Sequence, residues 1–378
     1  MSRAILPRSS RLIISIVAVT IAITGYSPVS TRAQSGAVLD SVRSFLQYEL
    51  VRQHLPGFSV AVVVDDQLVW SEGFGIADLE AGDRATGSTI YRIGSVSKPV
   101  VGTALMQLVE KGLVDLDADI RTYIPEFPRK RWTITLRHLM THTSGIRHYR
   151  GDEFLSMVHY DNLVEPMRIF AADTLLFEPG SRYSYSTYGF NLVANVVENV
   201  SGLPIQEYMQ THVYTPAWMN NTGQEDWTAV QHGRAKWYST RGGTWFNEPY
   251  VDLSNKYAGG GITSTVEDLC RLHIAYARGT LLQPRTIEQM YTNQPLLDGS
   301  IGQYGLSWRV GEVALPDGTT ARTVQHSGGS VGANTLFIRF PDHGFAIAVV
   351  ANHGANLSRI TNGVINLFAL AGAFGGDR

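Results

Sequence analysis

Ser95 and Lys98 stand three residues apart at the head of an apolar stretch, "YRIGSVSKPVVGTALMQLVEKG", Tyr91 to Gly112. On a helix, positions three apart share a face, so the hydroxyl and the amine can meet. A serine hydroxyl is a weak nucleophile until a base takes its proton. A lysine whose pKa falls through burial can be that base. Near a helix start, Ser95 also feels the positive end of the dipole and has a backbone N–H free to donate. The plainer reading makes Ser95 or Ser97 a helix cap and leaves Lys98 in water, and Ser-x-x-Lys alone does not decide between the two. Acyl transfer needs more: a second acid/base, oxyanion donors and a wall for the substrate. "FEPGSRYSYSTYGFNLV" offers Tyr185 just ahead of a helix, and "VQHSGGSVGANTLF" offers a glycine-rich segment after a strand, whose backbone can approach a substrate closely.

The elements that must position these residues follow from periodicity. Residues 35–54 repeat apolar positions at three- and four-residue steps (Leu39, Val42, Phe45, Leu46, Leu50) and predict a helix. "GFSVAVVV" and "LVWSEGFG" predict a hairpin, and a helix is expected from about Ser97 to Lys111, closed by Gly112. The middle of the chain reads as mainly helical. "TITLRHLMTHTSG" has Thr135 as cap and Gly145 as stop, "YGFNLVANVVENVSG" ends at Gly202, and "TSTVEDLCRLHIAYARG" is capped by Ser264 or Thr265. Strands return in "YGLSWRVGEV", "TARTVQH", "NTLFIRF" and "FAIAVVAN", the last two joined by the turn "PDHG", before a helix from about Leu357 to Ala371. The expected fold is α+β: one antiparallel sheet built from both ends of the chain, flanked by the terminal helices, with a separate helical lobe between. The α/β lobe would take residues 38–94 and 301–375 and the helical lobe 95–300, within one domain over 34–378. Ser95 then falls where the chain leaves the sheet, at a crevice between lobes.

Composition narrows the function. Apolar residues make up 44% and charged residues 17% of the 378-residue chain, enough for a substantial core, and the net charge of -2 with no long basic run excludes nucleic acid as the main partner. Arg3, Arg8 and Arg11, then the apolar run Leu12 to Thr24, then "TRA" before Gln34, have the layout of a secretory signal peptide over residues 1–33. The same stretch, residues 12–31, is alternatively an uncleaved membrane anchor facing the periplasm, so the expected location is secreted or periplasmic. Cys270, the single cysteine, has core spacing with Val266, Leu269 and Leu272 and reads as a small buried hydrophobe.

Taken together, "SVSK", "YST" and "HSGG", in that order, resemble the serine β-lactamase-like superfamily, which includes class C β-lactamases, DD-peptidases and related esterases. "ITLRHLMTHTSGIRHY", "FEPGSRYSYS" and "AGGGITSTVEDL" agree, and "HTSGIRHY" with "YVDLSNKYAGGG" is most similar to the LACTB group of serine β-lactamase-like proteins. The likeness covers roughly residues 38–370. It implies Ser95 as nucleophile, Lys98 as base for acylation, and Tyr185 as the relay of a proton to the leaving group. It further implies oxyanion N–H groups from Ser95 and Gly329, substrate contacts at Thr187, His326, Ser327 and Gly328, and neither metal nor cofactor. Two positions depart from the lactamase pattern. Thr187 stands where an asparagine would bond the substrate amide, and His326 stands where a lysine would attract a drug carboxylate. The expected activity is therefore hydrolysis of small amides, peptides or esters, with weak or no β-lactam turnover. A catalytically idle or slowly acylating binding or assembly protein on the same fold is the alternative, and oligomeric state is left open.

Other signals carry less. "GGSVG" spells the hydrolase elbow around Ser330, but a strand rather than a helix is expected to follow. His138 and His142 have zinc spacing, yet Leu139 replaces the glutamate of His-Glu-x-x-His, so these and His148 read as structural. Residues 227–257, with Trp227, Trp237, Tyr238, Trp245, Phe246, Tyr250 and Tyr257, either wall a substrate groove or pack as loop.

Overall fold

The computed structural model describes Met1 and residues 36–374, so the leader expected over residues 1–33 lies, but for Met1, outside the described residues. Helix α1 (Gly36–Arg52) leads into strands β1 (Gly57–Val64), β2 (Gln67–Asp78) and β3 (Asp83–Arg84), followed by the two-residue strand β4 (Tyr91–Arg92). Helices α2 (Ser97–Glu110), α3 (Leu136–Met140), α4 (Tyr188–Ser201) and α5 (Ile205–Met209) build the middle. Strands β5 (Gly223–Gln224), β6 (Tyr238–Arg241), β7 (Thr244–Asn247) and β8 (Ile262–Ser264) are interleaved with α6 (Tyr257–Gly260) and precede α7 (Val266–Ala277) and α8 (Pro284–Met290). The chain ends in β9 (Arg309–Ala314), β10 (Thr320–Ser330), β11 (Ala333–Phe340), β12 (Phe345–Ala351) and α9 (Leu357–Leu370).

The antiparallel sheet runs β3-β2-β1-β12-β11-β10-β9, with the two ends of the chain meeting where β1 pairs β12. Both of these strands are buried throughout, as expected of central strands covered on two faces. Their alternation divides side chains between two cores. Val60, Val62, Ile347 and Val349 join the cluster under α1 and α9, whereas Ala61, Val63, Ala346, Ala348 and Val350 join the cluster that contains Leu269, Cys270 and Leu272 of α7. On that face α7 packs on β1, β2 and β12. Thus α7 lies on the sheet although its sequence falls in the stretch expected to form the helical lobe. Cys270 is fully buried there, and burial holds its thiol well above the usual range.

Three sequence expectations need correction. The helix starting after Thr135 stops at Met140, and Gly145, with φ of +74°, lies beyond it in irregular backbone; Thr135 is nevertheless the cap, in a reciprocal pair with His138. Within "YGLSWRVGEV" only the part from Arg309 is strand, because Tyr304 to Trp308 form a buried loop. Finally, "HSGG" is not a segment after a strand but the strand itself, since β10 runs on to Ser330 paired with β11. Glycine has weak strand preference, which hides this in the sequence. Among the described residues no helix is long and apolar enough to cross a membrane.

Candidate active site

Ser95 sits in a single 3-10 turn, Gly94–Val96, that runs directly into α2. Gly94 has φ of +50°, and a Cβ there would lie 2.7 Å from the carbonyl oxygen of Gly329 on β10. A Cβ on Gly328 would lie 2.0 Å from the carbonyl oxygen of Ile93. Only glycine at both places lets the turn of Ser95 and the strand approach backbone to backbone. Ser97 locks the turn: its Oγ donates to Gly94 O at 2.7 Å and accepts from Ile262 N at 3.2 Å.

Lys98 is fully buried in the first turn of α2. Its Nζ lies 2.6 Å from Gly259 O, 3.2 Å from Thr187 Oγ1 and 3.1 Å from Ser95 Oγ. Burial pushes the amine well below the ordinary lysine range, and among the described residues no carboxylate offsets it. A neutral amine has two N–H donors and one lone pair. Gly259 O can only accept; where Thr187 Oγ1, which can also donate, accepts the second N–H, the lone pair of the neutral form falls to the Ser95 hydroxyl. Thr187 therefore serves Lys98 as well as lining the cleft. The closeness of Thr187 explains a glycine at 259, whose Cβ would lie 2.3 Å from Thr187 Cγ2.

Tyr185 covers this pair. Its ring lies 4.6 Å from Lys98 Nζ and 4.2 Å from the ring of His142. Burial raises its hydroxyl above the ordinary phenol range, against a hydrogen bond with Ser95, so it stays a phenol that can give a proton. The ring face is also placed to stabilise an ammonium once Lys98 has taken one.

His326 on β10 is buried and held at both nitrogens, with Nδ1 2.6 Å from Ser327 O and Nε2 2.9 Å from Tyr304 Oη. A carbonyl only accepts, so Nδ1 carries the proton and Nε2 accepts from Tyr304. Burial first, and the nearby Lys98 second, push its pKa down to about 3. The imidazole is thus neutral at pH 7 and cannot act as the cation that a lysine would supply.

Two clefts meet at Ser95. One, of about 260 Å³, is lined by Ser95, Tyr185, Tyr304, Arg309, His326 and Gly329 among others. The other, of about 80 Å³, is lined by Ser95, Phe154, Thr187, Lys256, Gly329 and Ser330 among others. Ser95 and Gly329 are common to both. The structure thus brings Ser95, Lys98, Tyr185, Thr187, His326, Ser327, Gly328 and Gly329 to one place. Ser330 also reaches it, but it lies at the end of β10 and is followed by β11, not by a helix.

Of the three histidines, His142 and His148 hold the backbone next to Tyr185, and His138 holds the cap of α3. His138 Nδ1 accepts from Thr135 N at 3.3 Å, His142 Nδ1 from Ser186 N at 3.2 Å, and His148 Nδ1 from Thr187 N at 3.3 Å. The aromatics of residues 227–257 do not line either cleft: Trp245 stacks on His54 at 4.4 Å and Trp237 packs under Arg92 at 4.8 Å. That segment reaches the site through Lys256 instead. Lys256, Gly259, Tyr304 and Arg309 were missed from the sequence. "AGGGITSTVEDL" and "YVDLSNKYAGGG" were visible as motifs, but not the roles of single residues inside them.

The beta-lactamase family model matches residues 40–368. The chain belongs to the beta-lactamase family. Among its relatives, the mitochondrial serine beta-lactamase-like protein LACTB of Mus musculus is 30% identical, over 84% of this chain and 75% of that protein. The human LACTB is 31% identical, over 76% of this chain and 69% of that protein. Among solved structures, an octameric penicillin-binding protein homologue from Pyrococcus abyssi superposes with TM-score 0.75 at 26% identity, over 88% of this chain and 76% of the other. The D-amino acid amidase of Ochrobactrum anthropi, at 21% identity over 89% of this chain and 98% of its own, shares the fold with TM-score 0.75.

Proposed function

We propose that this member of the beta-lactamase family is a serine hydrolase working through a covalent acyl-enzyme on small amides, peptides or esters, with weak or no β-lactam turnover. The observation that carries the reading is the fully buried Lys98, with Nζ 3.1 Å from Ser95 Oγ and a pKa lowered by burial. In the first step Lys98 takes the hydroxyl proton as Oγ bonds to the substrate carbonyl carbon, and the backbone N–H groups of Ser95 and Gly329 receive the oxyanion. As the bond to the leaving group breaks, Tyr185 gives that group its proton and is reprotonated from Lys98. Water then adds to the acyl carbon, its proton returning through the same groups, and Ser95 leaves as the hydroxyl.

Tyr185 assigns sides to the substrate. The larger cleft, which holds Tyr185, takes the leaving group, and exposed Arg309 is its cation, suited to the carboxylate of a leaving amino acid. The smaller cleft takes the acyl part. β-Lactam turnover is weak on this reading because His326 is neutral and Thr187 is engaged by Lys98. The D-amino acid amidase among the structural neighbours supports amide hydrolysis as a chemistry this fold can carry. Secretion, through the leader expected over residues 1–33, belongs to the same proposal.

The test is rapid mixing with nitrophenyl esters beside a chromogenic cephalosporin. The expected result is a burst of nitrophenolate close to one per enzyme, then slower turnover, with kcat/KM for the cephalosporin at least about 100-fold lower than for the best ester. Comparable cephalosporin turnover would remove the substrate assignment. No burst and no turnover across esters and peptides would favour an idle binding protein on the same fold.

A further inference from the structure

Lys256 is a buried lysine that the mechanism above does not use. It closes a 3-10 turn, Ser254–Lys256, just ahead of α6, and is 2% exposed. Its Nζ donates to Phe154 O at 2.6 Å and lies 4.9 Å from the ring of Phe154 and 5.5 Å from that of Tyr149. Both residues line the small cleft, as do Lys256 and Ser95. An ammonium has three N–H donors, and this bond uses one. The acidic groups nearest in effect are committed elsewhere: Glu225 to Arg92 at 2.9 Å, and Asp252 to His159 at 2.8 Å. Among the described residues Lys256 has no carboxylate of its own.

Burying a cation without a counter-ion is costly unless something compensates it. Burial first and Arg92 second pull its pKa down to about 8, against the opposing pull of Asp252 and Glu225, so it is still charged at neutral pH. The cleft beside it, about 80 Å³, has room for a group the size of a carboxylate.

We propose that Lys256 is a further substrate-binding residue that takes a carboxylate carried on the acyl side of the substrate. The side follows from the reading above, on which this inference rests: the cleft that holds Tyr185 receives the leaving group, and the cleft that holds Lys256 is the other one. Substrates would then be half-esters, half-amides or peptides with an acidic group on the acyl portion, recognised from the opposite side to Arg309.

The test measures binding and needs no turnover. Titration calorimetry on Ser95→Ala protein compares the monoanilides of succinic and glutaric acid with their methyl esters. At least one acid is expected to bind about 10- to 100-fold more tightly than its ester, the range for a charge-assisted hydrogen bond. In Ser95→Ala/Lys256→Gln that ratio falls to near one, while ester affinity is kept because glutamine can still donate to Phe154 O. Lys256→Arg, which keeps the charge, keeps the preference for acid. Three results overturn the proposal: equal affinity for acid and ester in Ser95→Ala, a preference that survives Lys256→Gln, or a parallel loss for both ligands, which would mark Lys256 as only a clamp on Phe154. The first of these needs no Lys256 variant to fold. Failure here leaves nucleophilic chemistry at Ser95 untouched, and failure of that chemistry leaves this binding result standing.

Discussion

Lys98→Met is expected to lower the rate of Ser95 acylation by about 10²- to 10⁴-fold, the usual contribution of a positioned base, while the protein stays folded. Methionine fills the same buried space, so packing is largely kept. Two effects on stability oppose each other. Removing the amine removes the cost of burying it, and leaves Gly259 O without the donor now 2.6 Å away. The net change in stability is expected within about 2 kcal/mol. The pH profile separates a base from a mere cation. In the wild type only the deprotonated amine accepts the serine proton, so acylation rises with pH through the Lys98 pKa and then levels. Because burial places that pKa well below the free-lysine value, the plateau is reached nearer neutrality than an exposed lysine would allow. In Lys98→Met this limb disappears. Lys98→Arg keeps a cation but cannot lose its proton, and is expected to be as inactive as the methionine variant. Burst rates from pH 5 to 10, with melting curves for each variant, check these outcomes. Recovery of activity in Lys98→Arg would show that charge, not proton transfer, is what Lys98 supplies.

Gly328→Ala is expected to cost about 10²- to 10³-fold in kcat, the price of one misplaced oxyanion donor. The new methyl would stand 2.0 Å from Ile93 O and 3.1 Å from Ser95 N, so β10 and the nucleophile turn must separate. Gly329 N, on the neighbouring residue, moves with the strand. Stability should fall by about 1–3 kcal/mol, as for overpacking in a fitted interior. Gly311→Ala on β9 is the control. Its Cβ would meet only Thr323 Oγ1, at 3.9 Å, and both activity and melting temperature should stay near wild type. Steady-state kinetics with melting curves for the two variants make the comparison. Full activity in Gly328→Ala would mean that the close approach of β10 to Ser95 does not set the oxyanion donors.

These two sites differ in how far the sequence revealed them. Ser95 and Lys98 were legible because their meeting is local: three residues along one helix start suffice. The sheet was legible because Val- and Ala-rich strands stand at both ends of the chain, and Thr135 and Gly202 marked helix ends by their own chemistry. Residues acting through distant partners were not legible. Gly259 serves Lys98 with a backbone carbonyl, which any residue carries. Tyr304 meets His326 Nε2 across a fold contact that no spacing announces. Lys256 is buried in a cleft that it shares with Ser95, and burial of a single lysine after "LSN" leaves no periodic trace. The glycines of "HSGG" misled in the other direction. Their strand preference is poor, yet both lie inside β10, and at Gly328 a side chain would collide with Ile93 O and the turn of Ser95.

The most direct test of the account is the intact mass of wild-type, Ser95→Ala and Ser330→Ala protein after incubation with a fluorophosphonate probe. Ser330 belongs in the set because it too lines the smaller cleft. The account predicts one adduct on wild type and on Ser330→Ala, and none on Ser95→Ala. An adduct that persists in Ser95→Ala, or is lost only in Ser330→Ala, would contradict it.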